Sequence, residues 1–417
     1  MRELLRRQRA VSVKEGLQLI VTNLPTKPLH VERINIENGL YRILAEDIYS
    51  PEDMPGFDRS SVDGYAVISS DTFGASETMP LYLEVVGEVR MGEEPTERLT
   101  NGKAMKIPTG GMLPVGSDAV IMLEYTAQVD NSLIEILRPV APGENVIKKD
   151  DDIKAGELVL KKGHRLRPQD IGALAGLGIT EIAVYKRPAV AIISTGDEIV
   201  PPTEKPLPGQ VRDINSYNLS SLIREAGAIP MRLGILKDEY ELIRDTLKKA
   251  CEMADMVLIS GGSSVGTRDY TAKAIEELGR PDGGVLFHGV MMKPGKPTIG
   301  GIVGNVPVFG IPGHPAAATI CFFNFVKPVI KRLSGQNSPE FPKTIKAVLN
   351  KNVPSSPQRT DFVRVQIKTE GNTFVAEPIF GKSGLITTLV QADGIVVIPP
   401  ERLGLEEGET VEVILFE

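Results

Sequence analysis

The 417-residue chain has no tryptophan and only two cysteines, Cys251 and Cys321. Two cysteines exclude a disulfide framework and a cysteine-based zinc site, and they fit a reducing compartment, so a cytoplasmic chain is expected. No apolar run approaches the roughly 18 residues needed to span a bilayer. The basic start (Arg2, Arg6, Arg7, Arg9) is not followed by the apolar stretch of a signal peptide, so no membrane partner is expected. A net charge of −7 argues against non-specific nucleic-acid binding while leaving room for a local basic pocket that takes a small anion. Several enzyme signatures are missing: no Walker A loop, no strand followed by a dinucleotide GxGxxG, no HExxH and no GxSxG. The four histidines (His30, His164, His288, His314) are too scattered to form a ligand set by spacing.

What is present describes a globular chain of two to four domains, with 41% apolar and 24% charged residues. The organising stretch is MVLISGGSSVGTRDY, residues 256–270. Met256, Val257, Leu258 and Ile259 predict a buried strand. A glycine-rich turn follows, and a helix is expected over 267–278. Glycines between strand and helix let main-chain N–H groups point outward together, which suits a phosphate or another oxyanion; a plain tight turn is the alternative. From 188 to 333 strands and helices alternate, including one helix over 315–333, which predicts a mainly parallel sheet wrapped on both faces. Ligands of such sheets bind beyond the carboxyl ends of the strands. Asp197, Glu198, Asp238, residues 261–269 and residues 310–315 should therefore gather at one rim. Carboxylates beside an anion-binding loop make sense if a hard cation such as Mg²⁺ bridges them to a phosphate. Lys293 and Lys296, in the MKPGKP turn, add positive charge to that rim.

Before this region, Ser12 and Glu15 form a capping box for a helix ending at Pro25, and Glu37-Asn38-Gly39 reads as a turn between strands. Short strands between Leu81 and Leu137 predict a small β module. Asp58 and Asp63 lie in a loop poor in apolar residues, and Thr109 ends a strand; each is either a ligand contact or a turn-shaping group. The run NVIKKDDDIKAG (145–156) is either a solvated loop or a site for a cation or a cross-domain pairing. After Gly335 the pattern turns to strands again, giving a separate barrel or sandwich with Arg359, Arg364, Lys382 and Ser383 as candidate anion contacts.

In order and spacing, FDRSSVDGYAV, IPTGG, KKDDDI, STGDEI, VRDINSY, ISGGSSVGTRDY, MKPGKP and GIPGHP resemble the molybdopterin molybdenumtransferase family (MoeA and the gephyrin E domain) over nearly the full chain. The resemblance implies a multidomain α/β protein with four parts. These are a doubly wound, mainly parallel central molybdopterin-binding domain (1–29 and 187–333), an elongated connecting domain (30–49 and 155–186), a β-rich insertion (50–154) and a C-terminal β-barrel (334–417). It implies insertion of molybdate or tungstate into adenylylated molybdopterin, with Mg²⁺-dependent release of AMP. The expected assembly is a homodimer with sites shared between subunits, and the adenylyltransferase that makes the substrate is a candidate partner. Catalytic roles are implied for Asp63, Thr109, Asp152, Glu198, Asp238 and Asp269. Pterin and nucleotide contacts are implied for Ser260, Gly261, Gly262, Ser263, Ser264, Gly266, Pro312 and Gly313. Molybdate contacts would be Lys293, Lys296, Arg359 and Ser383, and Mg²⁺ ligands Asp197, Glu198, Asp213 and Asp269. His314 stands where the family often has Asn, Gly289 where some members have Lys, Ile147 where some have Arg, and Val62 where Met is usual. Two other readings are an adenylyltransferase, because the central domain is shared, and a gephyrin-like scaffold; the insertion and barrel favour metal insertion, and no clustering linker favours a scaffold.

Overall fold

A computed structural model describes residues 10–24, 30–261, 270–279, 284–337 and 342–416. Its contacts divide the chain into two compact units, Met1–Glu46 with Lys162–Pro168 and Glu181–Glu417, and Asp47–Lys161 with Gln169–Thr180.

The first unit opens with helix α1 (Val13–Asn23), whose N-terminus is closed as its sequence requires: Ser12 Oγ accepts from the Glu15 N–H at 3.1 Å. Its central sheet contains β1 (Ala189–Thr195), β2 (Ile229–Leu236), β3 (Met256–Ser260), β4 (Val285–His288), β6 (Ile299–Val303) and β7 (Val306–Ile311). The two-residue strand β5 (Met292–Lys293) belongs elsewhere. The strand order is β2-β1-β3-β7-β6-β4, with the first three pairings parallel and the last two antiparallel. Between β1 and β2 lies α2 (Asn215–Glu225), between β2 and β3 lies α3 (Tyr240–Met253), and α4 (Tyr270–Leu278) follows β3.

The two faces of this sheet are read directly from the period of two along its strands. Val190, Ile192, Met256, Leu258, Phe309 and Ile311 pack with Leu219 and Ile223 of α2 and Ile20 of α1. The alternate residues Ala191, Ile193, Val257, Ile259 and Val308 pack with Ile243 and Leu247 of α3 and Ala274 and Ile275 of α4. Because β1 is followed by β2 on one side and β3 on the other, the carboxyl ends of β1 and β3 flank the topological switch point.

The single helix expected over 315–333 is interrupted. Helix α5 (Pro315–Cys321) passes through a π turn (Phe322–Val326) into α6 (Lys327–Leu333). Pro328 has no N–H to give and its ring would crowd the carbonyl one turn back, so the wider turn, closed by the Lys327 N–H on the Phe322 carbonyl, relieves the conflict. The turn predicted at Glu37-Asn38-Gly39 exists as a 3₁₀ turn (Ile36–Asn38), but it joins no hairpin. The preceding strand, Val31–Asn35, pairs with Glu181–Tyr185. Local pattern identifies a strand without naming its partner.

The C-terminal part is a barrel of β8 (Thr344–Leu349), β9 (Thr360–Glu370), β10 (Thr373–Pro378), β11 (Gly394–Ile398) and β12 (Thr410–Leu415). The order β9-β10-β8-β12-β11 closes because β9 also pairs with β11, which leaves no edge between them. β5 adds to β9 in parallel, with Lys293 opposite Asp361. On the barrel surface Glu377 accepts from Lys351 Nζ (2.8 Å) and Lys368 Nζ. These two contacts, Lys351 first, hold its carboxyl down from 4.5 to about 2. The unfolded chain takes up this proton at higher pH than the folded chain, so the contribution is complete above about 4.5 and disappears as pH falls from there toward 2. Glu377→Gln is expected to flatten the fall in stability below pH 4.5, measured as thermal midpoints across a pH series, with a small amplitude because the pair is exposed. Superimposable acid limbs would show that the pair contributes nothing.

The second unit is built on one six-stranded sheet in the order Ala119–Met122, Gly64–Val67, Lys103–Ile107, Leu81–Glu88, Leu133–Ile136, Thr126–Gln128. One face buries Tyr65, Val67, Leu83, Ile121 and Ile134, and the other buries Ala66, Met105, Ile107 and Val120. Of the expected connecting part, residues 30–46, 162–168 and 181–186 fall in the first unit and the remainder in the second.

Candidate active site

The carboxyl ends of β1 and β3 meet closely. Gly261 has φ +105°, and a Cβ there would lie 2.1 Å from the Thr195 carbonyl oxygen, so only glycine permits this approach. Its N–H donates to Ile311 O at 3.1 Å, tying β3 to β7. Asn215, the first residue of α2, reaches into the same place: its Nδ2 donates to Ser260 Oγ (2.7 Å) and to Gly313 O (2.9 Å). Four elements are thus locked around one crevice. Two buried polar atoms there, the Thr195 hydroxyl and Asn215 Oδ1, have no hydrogen-bond partner among the described residues, which leaves hydrogen-bonding capacity for a ligand. Neither residue stood out in the sequence; the signal was their place in STGDEI and VRDINSY.

The acidic candidates divide by what holds them. Asp213 is buried, with Oδ2 accepting from Ser194 Oγ (2.9 Å) and Oδ1 from the Ser216 N–H (3.0 Å), so it fastens α2 to β1. Asp197 accepts from the Asp238 N–H at 3.2 Å, bringing the ends of β1 and β2 together. Glu198 folds back over Gly196. Among the described residues no three Asp, Glu, His or Cys side chains converge as a metal-holding group. Of the four expected Mg²⁺ ligands, Asp197, Glu198 and Asp213 are described, and Asp213 has both carboxylate oxygens engaged by Ser194 and Ser216. Gly262, Ser263, Ser264, Gly266 and Asp269 lie outside the described residues.

Beside the crevice lies a cleft of about 1020 Å³. Lys293, Lys296, Arg359 and Ser383 all line it, together with Lys382, His314 and Pro312, so the loop 312–314 is common to crevice and cleft. Lys293 is set by β5, and Arg359 by a fork onto buried Asp361 (Nε to Oδ1, 2.8 Å; Nη2 to Oδ2, 3.3 Å). Asp361 is the only carboxylate in the lining among the described residues. Arg364, a candidate anion contact in the sequence, also lines the cleft but is largely buried: its guanidinium donates to Thr388 Oγ1 and to Gly381 O, which fixes the loop carrying Lys382 and Ser383. Burial also lowers its pKa.

In the second unit, Asp63 Oδ1 accepts from both the N–H (2.7 Å) and the hydroxyl (3.0 Å) of Thr109, and these bonds hold the Asp63 carboxyl below its ordinary pKa. Asp152 is exposed in the turn after Lys149, where its N–H donates to Met54 O. Asp58 Oδ1 accepts from the Lys149 N–H and shapes the loop.

Three family models match in succession: the MoeA N-terminal region (domain I and II) over residues 11–178, a "probable molybdopterin binding domain" over 191–332, and the MoeA C-terminal region (domain IV) over 346–416. The molybdopterin molybdenumtransferase of Bacillus subtilis is 34% identical over 389 residues, spanning 92% of this chain and 90% of its own. The chain belongs to the MoeA family of molybdopterin molybdenumtransferases. The Haemophilus influenzae molybdopterin molybdenumtransferase is also 34% identical, with 93% of this chain and 95% of that one covered. A MoeA crystal structure from Pyrococcus horikoshii shares 42% identity at a TM-score of 0.79, covering 98% of this chain and all of the other. The place of this MoeA-family chain is therefore in molybdenum cofactor biosynthesis, as a transferase. No helix among its described residues is long and apolar enough to cross a membrane.

Proposed function

We propose that this MoeA-family enzyme binds adenylylated molybdopterin along the β1–β3 crevice and molybdate or tungstate in the adjoining cationic cleft, inserts the metal at the dithiolene and releases AMP. The observation that carries the proposal is the charge of the cleft: among the described residues Lys293, Lys296, Lys382, Arg359 and Arg364 line it with one carboxylate, Asp361, in a chain whose net charge is −7. A tetrahedral dianion needs fixed cations and donors in a place screened from water, and little else in an acidic protein attracts it. The shared loop 312–314 supports the second half of the reading, because the pterin must bring its sulfurs beside the bound oxyanion. Ser260, Gly261, Pro312 and Gly313, with Asn215 and Thr195 added, are the proposed pterin and nucleotide contacts. Asp197, Glu198 and Asp238 order the strand ends around them. The homodimer, with Asp63, Thr109 and Asp152 completing the partner's site, belongs to the same proposal. The adenylyltransferase and scaffold readings gain no observation of their own.

Purified protein supplied with adenylylated molybdopterin is expected to release AMP only when molybdate or tungstate is added, followed by chromatography of the nucleotide. Release at the same rate without either oxyanion would remove the proposal.

A further inference from the structure

His314 stands at the corner where crevice and cleft meet. It occupies the N-cap position of α5 without capping it. Its Nδ1 instead lies 2.8 Å from Ser383 Oγ, and the Ala316 N–H, from the same turn, donates to Ser383 O at 3.1 Å. One turn of the central domain thus grips a barrel serine by both its hydroxyl and its carbonyl. The main-chain bond docks the loop, and Arg364 holds the same loop through Gly381 O and Thr388. The imidazole contact, added to these, has a consequence for the hydroxyl it meets.

That consequence follows from proton counting. A serine hydroxyl carries one proton, and an oxyanion offers only acceptors. If Nδ1 accepts, the proton of Ser383 is directed at the imidazole and a lone pair faces the anion. If Nδ1–H donates, the hydroxyl proton is left free for the anion. The charged groups lining the cleft around the pair are Lys293, Lys296, Lys382, Arg359, Arg364 and Asp361, and Asp361 is occupied by Arg359. Among the described residues no other carboxylate lines the cleft.

We propose that His314 is a positioning residue for the oxyanion: in the bound state its Nδ1–H donates to Ser383 Oγ and aims the single hydroxyl proton at the ligand. This rests on the reading of the cleft as the oxyanion site. An amide could perform the same task, because an Asn side chain can place its Nδ2 near the same position and donate likewise.

The test uses the full chain and inorganic molybdate as the probe, with dissociation constants from calorimetry. His314→Ala is expected to weaken molybdate binding by about tenfold, the worth of one hydrogen bond to a charged group, while His314→Asn stays within about twofold of the parent. Ser383→Ala and the double variant with His314→Ala should bind equally, because the histidine acts only through that hydroxyl. Unchanged affinity in His314→Ala, or additive losses in the double variant, would overturn the inference. A Lys293→Ala, Lys296→Ala control separates the two layers of the argument. If it loses affinity while His314→Ala does not, the cleft reading stands and the histidine has no part. If neither variant loses affinity, the oxyanion binds elsewhere and both fall.

Discussion

Replacing Lys293 and Lys296 together by alanine is expected to raise the molybdate concentration needed for half-maximal AMP release by about 100-fold or more, with a far smaller change in the nucleotide requirement. The size follows from two charge-assisted contacts at about 1.5 kcal/mol or more each. The asymmetry follows from place. Both lysines line the cleft with Arg359 and Ser383, whereas the crevice contacts come from Asn215, Ser260 and the 312–314 loop. The fold should tolerate the change, since both side chains are exposed. Steady-state titrations of each substrate at saturating levels of the other measure it; equal losses toward both would mean that these lysines do not select the oxyanion.

Gly261→Ala should be the most damaging single-methyl change among the described glycines of the central domain. The residue would have to adopt φ near +105°, and its new carbon would meet the Thr195 carbonyl at 2.1 Å, a main-chain atom that cannot swing aside. Backbone strain and overpacking together put the loss of stability at about 3 kcal/mol or more. Relieving it requires β1 and β3 to separate at the switch point, so adenylylated molybdopterin binding should fail along with stability. Denaturant unfolding and a ligand-binding assay on the same preparation provide the check; parent-like values in both would contradict the close approach.

Much of this architecture was legible in the residues because periodicity is a local property. The strand over 256–260 follows from spacing alone, as does the capped start at Ser12. Chemistry-bearing lysines in a proline-rich turn were visible too. Pairing across long stretches of chain was not: no pattern joins Val31–Asn35 to Glu181–Tyr185, or β5 to β9. The π turn was hidden because Pro328 reports a conflict without stating how it is resolved. Asn215 was hidden for a different reason, since its importance lies in three partners from distant strand ends. Asp213, a metal ligand by resemblance, is buried with bonds to Ser194 and Ser216, and Arg364, a candidate anion contact, lines the cleft while its guanidinium also holds Thr388 and Gly381. A formal charge says which group could meet a ligand; only packing says which one is already taken.

The parallel pairing of Met292–Lys293 with Thr360–Asp361 has a mechanical meaning. One jaw of the cation cradle is hydrogen-bonded, through main chain, into the same sheet that carries the other. The cradle accordingly has the character of a calliper set at one width, not of jaws that close on their object. If the cleft takes the oxyanion as proposed, discrimination between tetrahedral anions of different radius is left to how far the lysine and arginine tips extend inward.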